Sequence, residues 1–138
     1  MSDIPSNING VTIEFSSLVN KSVDPRVVDA LKLIVKTNIA TSKVLNKLYI
    51  SSANDQHKSP SRHVQGKGKA VDISRINDMK LSVYYNKDPA VKAIADAIQD
   101  EFEKYQHRRE NFGPYFKKKL GKTHAMSGHG DHIHLSVN

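Results

Sequence analysis

The chain has 138 residues, 38% hydrophobic and 25% charged, with a net charge of +7 and no cysteine. That length makes one domain, 1–138, with a real core, and the composition is globular rather than disordered. Disulfides and thiolate metal sites are excluded, so any metal here is held by histidine and carboxylate.

In chain order, Asn9-Gly10 is a turn signal and Val11 to Phe15 reads as a short strand. Asp24-Pro25 opens a helix, with Asp24 as N-cap and Pro25 in the first turn. Val27, Val28, Leu31, Ile34 and Val35 share one face of it, and the pattern predicts a helix to about Asn38. A second short helical stretch, or an extension of the first, is predicted around Thr41 to Asn46. Leu48 to Ile50 reads as a strand and Ser51 to Ser61 as a loop.

Gly68 to Arg75 reads as a strand that places Ala70, Asp72 and Ser74 on one face and Val71 and Ile73 on the other. Met79 to Tyr85 reads as a strand or a loop. Asp88-Pro89 repeats the cap-and-proline start. Val91, Ile94, Ala95, Ile98, Phe102 and Tyr105 form a helical stripe over about 17 residues, which is core, and His107 to Arg109 end it. Asn111 to Phe116 is a turn among aromatics, and Lys117 to Lys119 is a run that is either solvated or in contact with an anionic substrate or wall polymer. The last strand is His132 to Val137, with Ile133, Leu135 and Val137 facing the core and His132, His134 and Ser136 facing the other way. The fold class is α+β: a small, mostly antiparallel sheet packed against two main helices.

Two stretches carry chemistry. Ser61 to Asp72 offers His63 and Asp72. His129 to His134 offers Asp131, His132 and His134. Two imidazoles and one carboxylate make a three-ligand zinc site with a position open for water, whose pKa the metal lowers to about 7. Asp131 could take the water's proton, and His132 could orient the substrate or stabilise an oxyanion. A regular strand would put Asp131 and His134 on opposite faces, so this assignment requires irregular backbone between Gly128 and Asp131. His57, His124 and His129 read as ordinary structural or exposed histidines. Gly66 and Gly68 make a tight turn and not a phosphate loop, and neither a nucleophile elbow nor a cysteine nucleophile occurs.

With Ser61, His63, Gly68, Ala70, Asp72, Asp131 and His134 in this order, the chain resembles the zinc peptidases that cut peptidoglycan stem peptides. That family includes D-alanyl-D-alanine carboxypeptidases and phage L-alanyl-D-glutamate endopeptidases. The resemblance covers two motifs closely and most of the chain loosely. It implies Zn2+ on His63, Asp72 and His134, with Asp131 as general base. Two features depart from the family pattern. Four residues, not two, separate His63 from Gly68, and no Arg follows the strand before the first motif, where Asn54, Gln56, Arg62 or His132 would substitute.

The expected function is therefore a zinc-dependent stem-peptide hydrolase, foremost an L-alanyl-D-glutamate endopeptidase of the endolysin type. A D,D- or L,D-carboxypeptidase, or a metal-stabilised wall-binding module without catalysis, is the alternative. The positive charge suits an anionic partner such as the cell wall. No nucleic-acid recognition motif occurs, so the expected partner is the stem peptide and not nucleic acid, with the chain acting as a monomer. Met1 to Asn7 has neither the basic start nor the apolar run of a secretory signal, and no stretch approaches the roughly 20 apolar residues of a membrane span. The expectation is a protein made in the cytoplasm that reaches the wall through a membrane pore.

Overall fold

The computed structural model describes residues 1–54 and 67–138. Elements run in the order β1 (Ser2–Asp3), β2 (Asn7–Ile8), β3 (Val11–Phe15), β4 (Ser22–Val23), α1 (Pro25–Ile34), β5 (Lys47–Ser52), β6 (Ala70–Ile76), β7 (Met79–Lys80), α2 (Leu81–Tyr84), α3 (Pro89–Phe102), β8 (Arg108–Phe112), β9 (Lys117–Lys119), β10 (Lys122–Thr123) and β11 (Ile133–Val137). Among the described residues the main sheet has the order β10-β9-β8-β11-β6-β5-β3-β2, with β7 paired to β6, while β1 and β4 form a separate ribbon. Every pairing is antiparallel except β3 with β5. A parallel pair needs a crossover, and α1 lies in that connection.

Both long helices start as their sequences demand. The Asp24 carboxylate accepts from Arg26 N at 2.9 Å, and Asp88 accepts from Ala90 N and Val91 N. Such caps are worth about 1 kcal/mol each. The helices contact one another and β11, and α3 also contacts β6 and β8, so both cover one face of the sheet. Val27, Leu31 and Ile34 of α1 and Val91, Ile94, Ile98 and Phe102 of α3 are buried there with Leu48, Ile50, Ile73, Ile133 and Leu135 of the strands. Each such large side chain contributes on the order of 2 kcal/mol of transfer free energy.

Helix α1 ends at Ile34, short of Asn38, because Val35 turns extended and the Asn9 amide donates to the carbonyls of Lys32 and Val35 at 3.0 Å. A residue from the turn between β2 and β3 thus satisfies the helix end. The helical stretch expected at Thr41 to Asn46 is absent. Asn77 holds that segment in irregular conformation by donating to Val44 O and accepting from Asn46 N and Lys47 N. Asn77 and Asp78, both at positive φ, form the two-residue turn between β6 and β7. Met79 to Tyr85 is two strand residues followed by one helical turn.

The largest correction concerns 103–119. Helix α3 stops at Phe102, and Arg108 to Phe112, expected as a helix end and a turn, is a strand between β11 and β9. Buried Gln99 anchors it, donating to Asn111 Oδ1 and Phe116 O and accepting from Tyr115 N, while Asn111 donates to Gln99 O and Glu103 Oε2. The Lys117 to Lys119 run is also a strand, with all three residues half-buried. No helix among the described residues is long and apolar enough to cross a membrane.

Candidate metal centre

Asn111 points to Gln99 on α3, so its neighbours Glu110 and Phe112 point to the opposite face of the sheet, away from α3. On that face β11 lies between β6 and β8, and His134 pairs in register with Asp72 on one side and Phe112 on the other. Asp72 Oδ1 lies 2.9 Å from His134 Nδ1, and the two side chains are only 15% and 11% exposed. On the ring's other side His134 Nε2 is 3.1 Å from Glu110 Oε1, which also accepts from Ser136 Oγ at 2.7 Å.

The chain enters β6 through Gly68, at φ +54°. A Cβ there would meet Val23 Cα and Ser22 O, and Gly68 O accepts from Asp24 N. This close approach of backbones fixes where the strand carrying Asp72 begins. The backbone before β11 is irregular in the way the sequence required: Gly128 and His129 both take positive φ, at +79° and +63°. The turn brings His132 Nε2 within 3.9 Å of Asp72 Oδ1, and places Asp131 Oδ1 2.7 Å from His132 Nδ1. Asp131 itself is 69% exposed.

Of the residues singled out from sequence, Asp72, His132 and His134 come together, and Asp131 touches the group through His132. His63, with Ser61, Arg62 and Gln56, lies outside the described residues. Asn54, weighed as a stand-in for the missing Arg, is buried and donates to Ser22 O at 2.7 Å, which ties the end of β5 to β4.

Sequence reasoning missed Glu110, Ser136 and Phe112 and undervalued His129. The Phe112 ring stacks on His134 and His124, both at 5.7 Å, and the His129 ring tilts against Phe112, His132 and His134. Glu110 sits in Arg-Arg-Glu-Asn, which has no strand-like alternation. The His-x-Ser spacing of His134 and Ser136 on one strand face was the one available signal.

Electrostatics follow from this packing. Burial works against a charged His134, but the hydrogen bonds and charges of Asp72 and Glu110 outweigh it and push the imidazole up to about 9. Burial likewise penalises ionised Glu110, yet the hydrogen bonds from His134 and Ser136 and the charges of His134 and Arg109 bring it down to about 2. Burial, then the neighbouring His132 and His134, lower His129. The hydrogen bond from His132 lowers Asp131.

The donor chemistry at Asp72 and His134, one carboxylate oxygen facing one imidazole nitrogen, suits zinc. Among the described residues no three such donors converge as a metal cradle. The third donor expected from sequence, His63, lies outside them. Beside the cluster runs a groove of about 510 Å³, lined by Tyr115, Phe116, Lys117, His124 and Met126 among others. It joins the site through the His124–Phe112–His134 ring stack.

Comparison with family models, curated proteins and solved structures finds no match.

Proposed function

We propose that this protein is a zinc-dependent hydrolase of peptidoglycan stem peptides, cutting the L-alanyl-D-glutamate bond. The observation that carries the reading is the Asp72–His134 pair, 2.9 Å apart on adjacent strands, with His132 at the same carboxylate oxygen. Asp72 and His134 are two of the three ligands that the motif resemblance implies, 62 positions apart in the chain, and His132 is the flanking histidine expected from the strand pattern. Asp72, His134 and His63 would hold the metal. Bound there, zinc would supply Lewis acidity toward the scissile carbonyl and a water of pKa about 7.

The chain's own residues then handle binding and protons. Asp131 accepts from His132 Nδ1, which leaves His132 Nε2 as the nitrogen on the Asp72 side. His132 is therefore the better placed of the two to take a proton from the attacking water and pass it to the leaving amine. Asp131, largely exposed, fixes the tautomer and orientation of His132. The ring stack of Phe112 and His129 keeps water from one side of His134. The neighbouring groove offers apolar walls from Tyr115 and Met126, and the ammonium of Lys117, held at Met126 O at 2.5 Å, to a peptide bearing carboxylates.

The test is mass spectrometry of peptides released from purified cell walls. New N-terminal D-glutamate supports the endopeptidase. Loss of terminal D-alanine alone moves the assignment to a carboxypeptidase. No released peptide from zinc-loaded protein refutes the hydrolase.

A further inference from the structure

Glu110 and Ser136 close a small hydrogen-bonded ring around one edge of His134, and its proton positions can be read from donor rules alone. The Glu110 backbone N–H can only donate, and it donates to Ser136 Oγ at 3.0 Å. The single hydroxyl proton of Ser136 is then directed at Glu110 Oε1, 2.7 Å away. Oε1 is thus an acceptor, and the His134 Nε2 that lies 3.1 Å from it must be the donor.

With its proton on Nε2, a neutral His134 ring presents a bare lone pair at Nδ1. That lone pair faces Asp72 Oδ1, another acceptor, at 2.9 Å. Two acceptors at this distance repel unless a cation lies between them, either a proton or a metal ion. The Phe112 ring, 5.7 Å from His134 and within 18° of parallel, restrains the imidazole from swinging out of this orientation.

We propose that Glu110, seated by Ser136, is a positioning residue that locks His134 as the Nε2–H tautomer and dedicates Nδ1, together with Asp72, to the metal. The inference rests on the zinc reading and adds to it a carboxylate that the sequence motifs do not contain. It is a carboxylate–histidine–metal relay, in which the outer carboxylate raises the basicity of the ligand and sets its angle. Because β8 hangs on Gln99 of α3, this relay also ties the metal ligand to the helical layer.

The experiment is zinc affinity by competition with a chromophoric chelator, on wild type, Glu110→Gln, Glu110→Asp, Ser136→Ala and Asp96→Asn. Asp96 is a comparably buried carboxylate on α3 that pairs with Lys92 and Tyr85 outside the site. Glu110→Gln is expected to weaken zinc binding by roughly 10- to 100-fold. Glu110→Asp should recover part of that loss, Ser136→Ala should lose less, and Asp96→Asn should leave affinity unchanged. Nitrogen-15 spectra of zinc-loaded wild type should show His134 protonated at Nε2 and metal-bound at Nδ1. Equal affinity for wild type and Glu110→Gln, an equal loss in Asp96→Asn, or metal on Nε2 would overturn the relay while leaving the zinc reading intact. A wild type that takes up no zinc refutes the zinc reading itself, and the relay with it.

Discussion

Asp72 Oδ1 and His134 Nδ1 stand 2.9 Å apart although 62 positions separate them in the chain. The antiparallel register of β6 and β11 alone makes them neighbours, pairing His134 with Asp72 and Leu135 with Val71. A slip of one residue in that register would send His134 into the helical layer and Leu135 to the site. The apolar alternation of Ile133, Leu135 and Val137, all nearly fully buried, holds the register.

Zinc uptake should release a proton. Metal-free His134 is held protonated at neutral pH, with its imidazole pushed up to about 9 by Asp72 and Glu110. A metal at Nδ1 must displace that proton. Calorimetric titrations at pH 7 in buffers of different ionisation enthalpy should therefore show at least one proton released per zinc, with ionisation of the zinc-bound water adding to it. Affinity should rise by at least tenfold per pH unit from about 7 to about 9. Binding without proton release would contradict His134 as a ligand.

Metal-free stability should peak on the acidic side of neutral. His134 is raised above its ordinary 6.5, so its contribution is complete below that value and fades as pH climbs through about 9. Glu110 is depressed below its ordinary 4.5, so its contribution is complete above that value and fades as pH drops through about 2. The melting temperature of chelator-treated protein should be highest between about 4.5 and about 6.5. Glu110→Gln should flatten both flanks, and an unchanged pH profile in that variant would count against the ion pair.

Asp131 and His132 should separate kinetically. His132→Ala removes the proposed proton carrier and should lower kcat by about 10²- to 10⁴-fold with little change in KM. Asp131→Asn removes only the partner of Nδ1 and should cost less, with an altered pH–rate profile. A larger loss from Asp131→Asn than from His132→Ala would return the role of base to the carboxylate.

Gly113 should be intolerant of a side chain. A Cβ there would overlap the Gln99 side chain amide, whose oxygen and nitrogen both serve the 111–116 segment. Gly113→Ala should destabilise by roughly 1–3 kcal/mol, because shifting Gln99 leaves buried polar groups unpaired. Thermal unfolding reads the effect, and a neutral result would remove Gln99 as the anchor of β8.

Features governed by local chemistry were legible in the sequence. The Asp-Pro starts of α1 and α3, the apolar stripes on both helices, strands β3, β5, β6 and β11, and the irregular approach to Asp131 all follow from residues close in the chain. Features settled by distant partners were not. Asn9 ends α1, Asn77 holds 44–47 out of a helix, and Gln99 and Asn111 turn a polar run into strand β8. Glu110 was hidden for that same reason. A strand flanked on both sides needs no apolar alternation when a buried amide network secures one face and a histidine cluster the other.

The most direct measurement is turbidity loss of purified, outer-membrane-stripped cell walls on adding the protein, first with a chelator and then with zinc restored. The account predicts clearing that the chelator abolishes and zinc returns, with Asp72→Asn and His134→Ala inactive under every condition. Clearing that persists in excess chelator, or that survives either substitution, would contradict it.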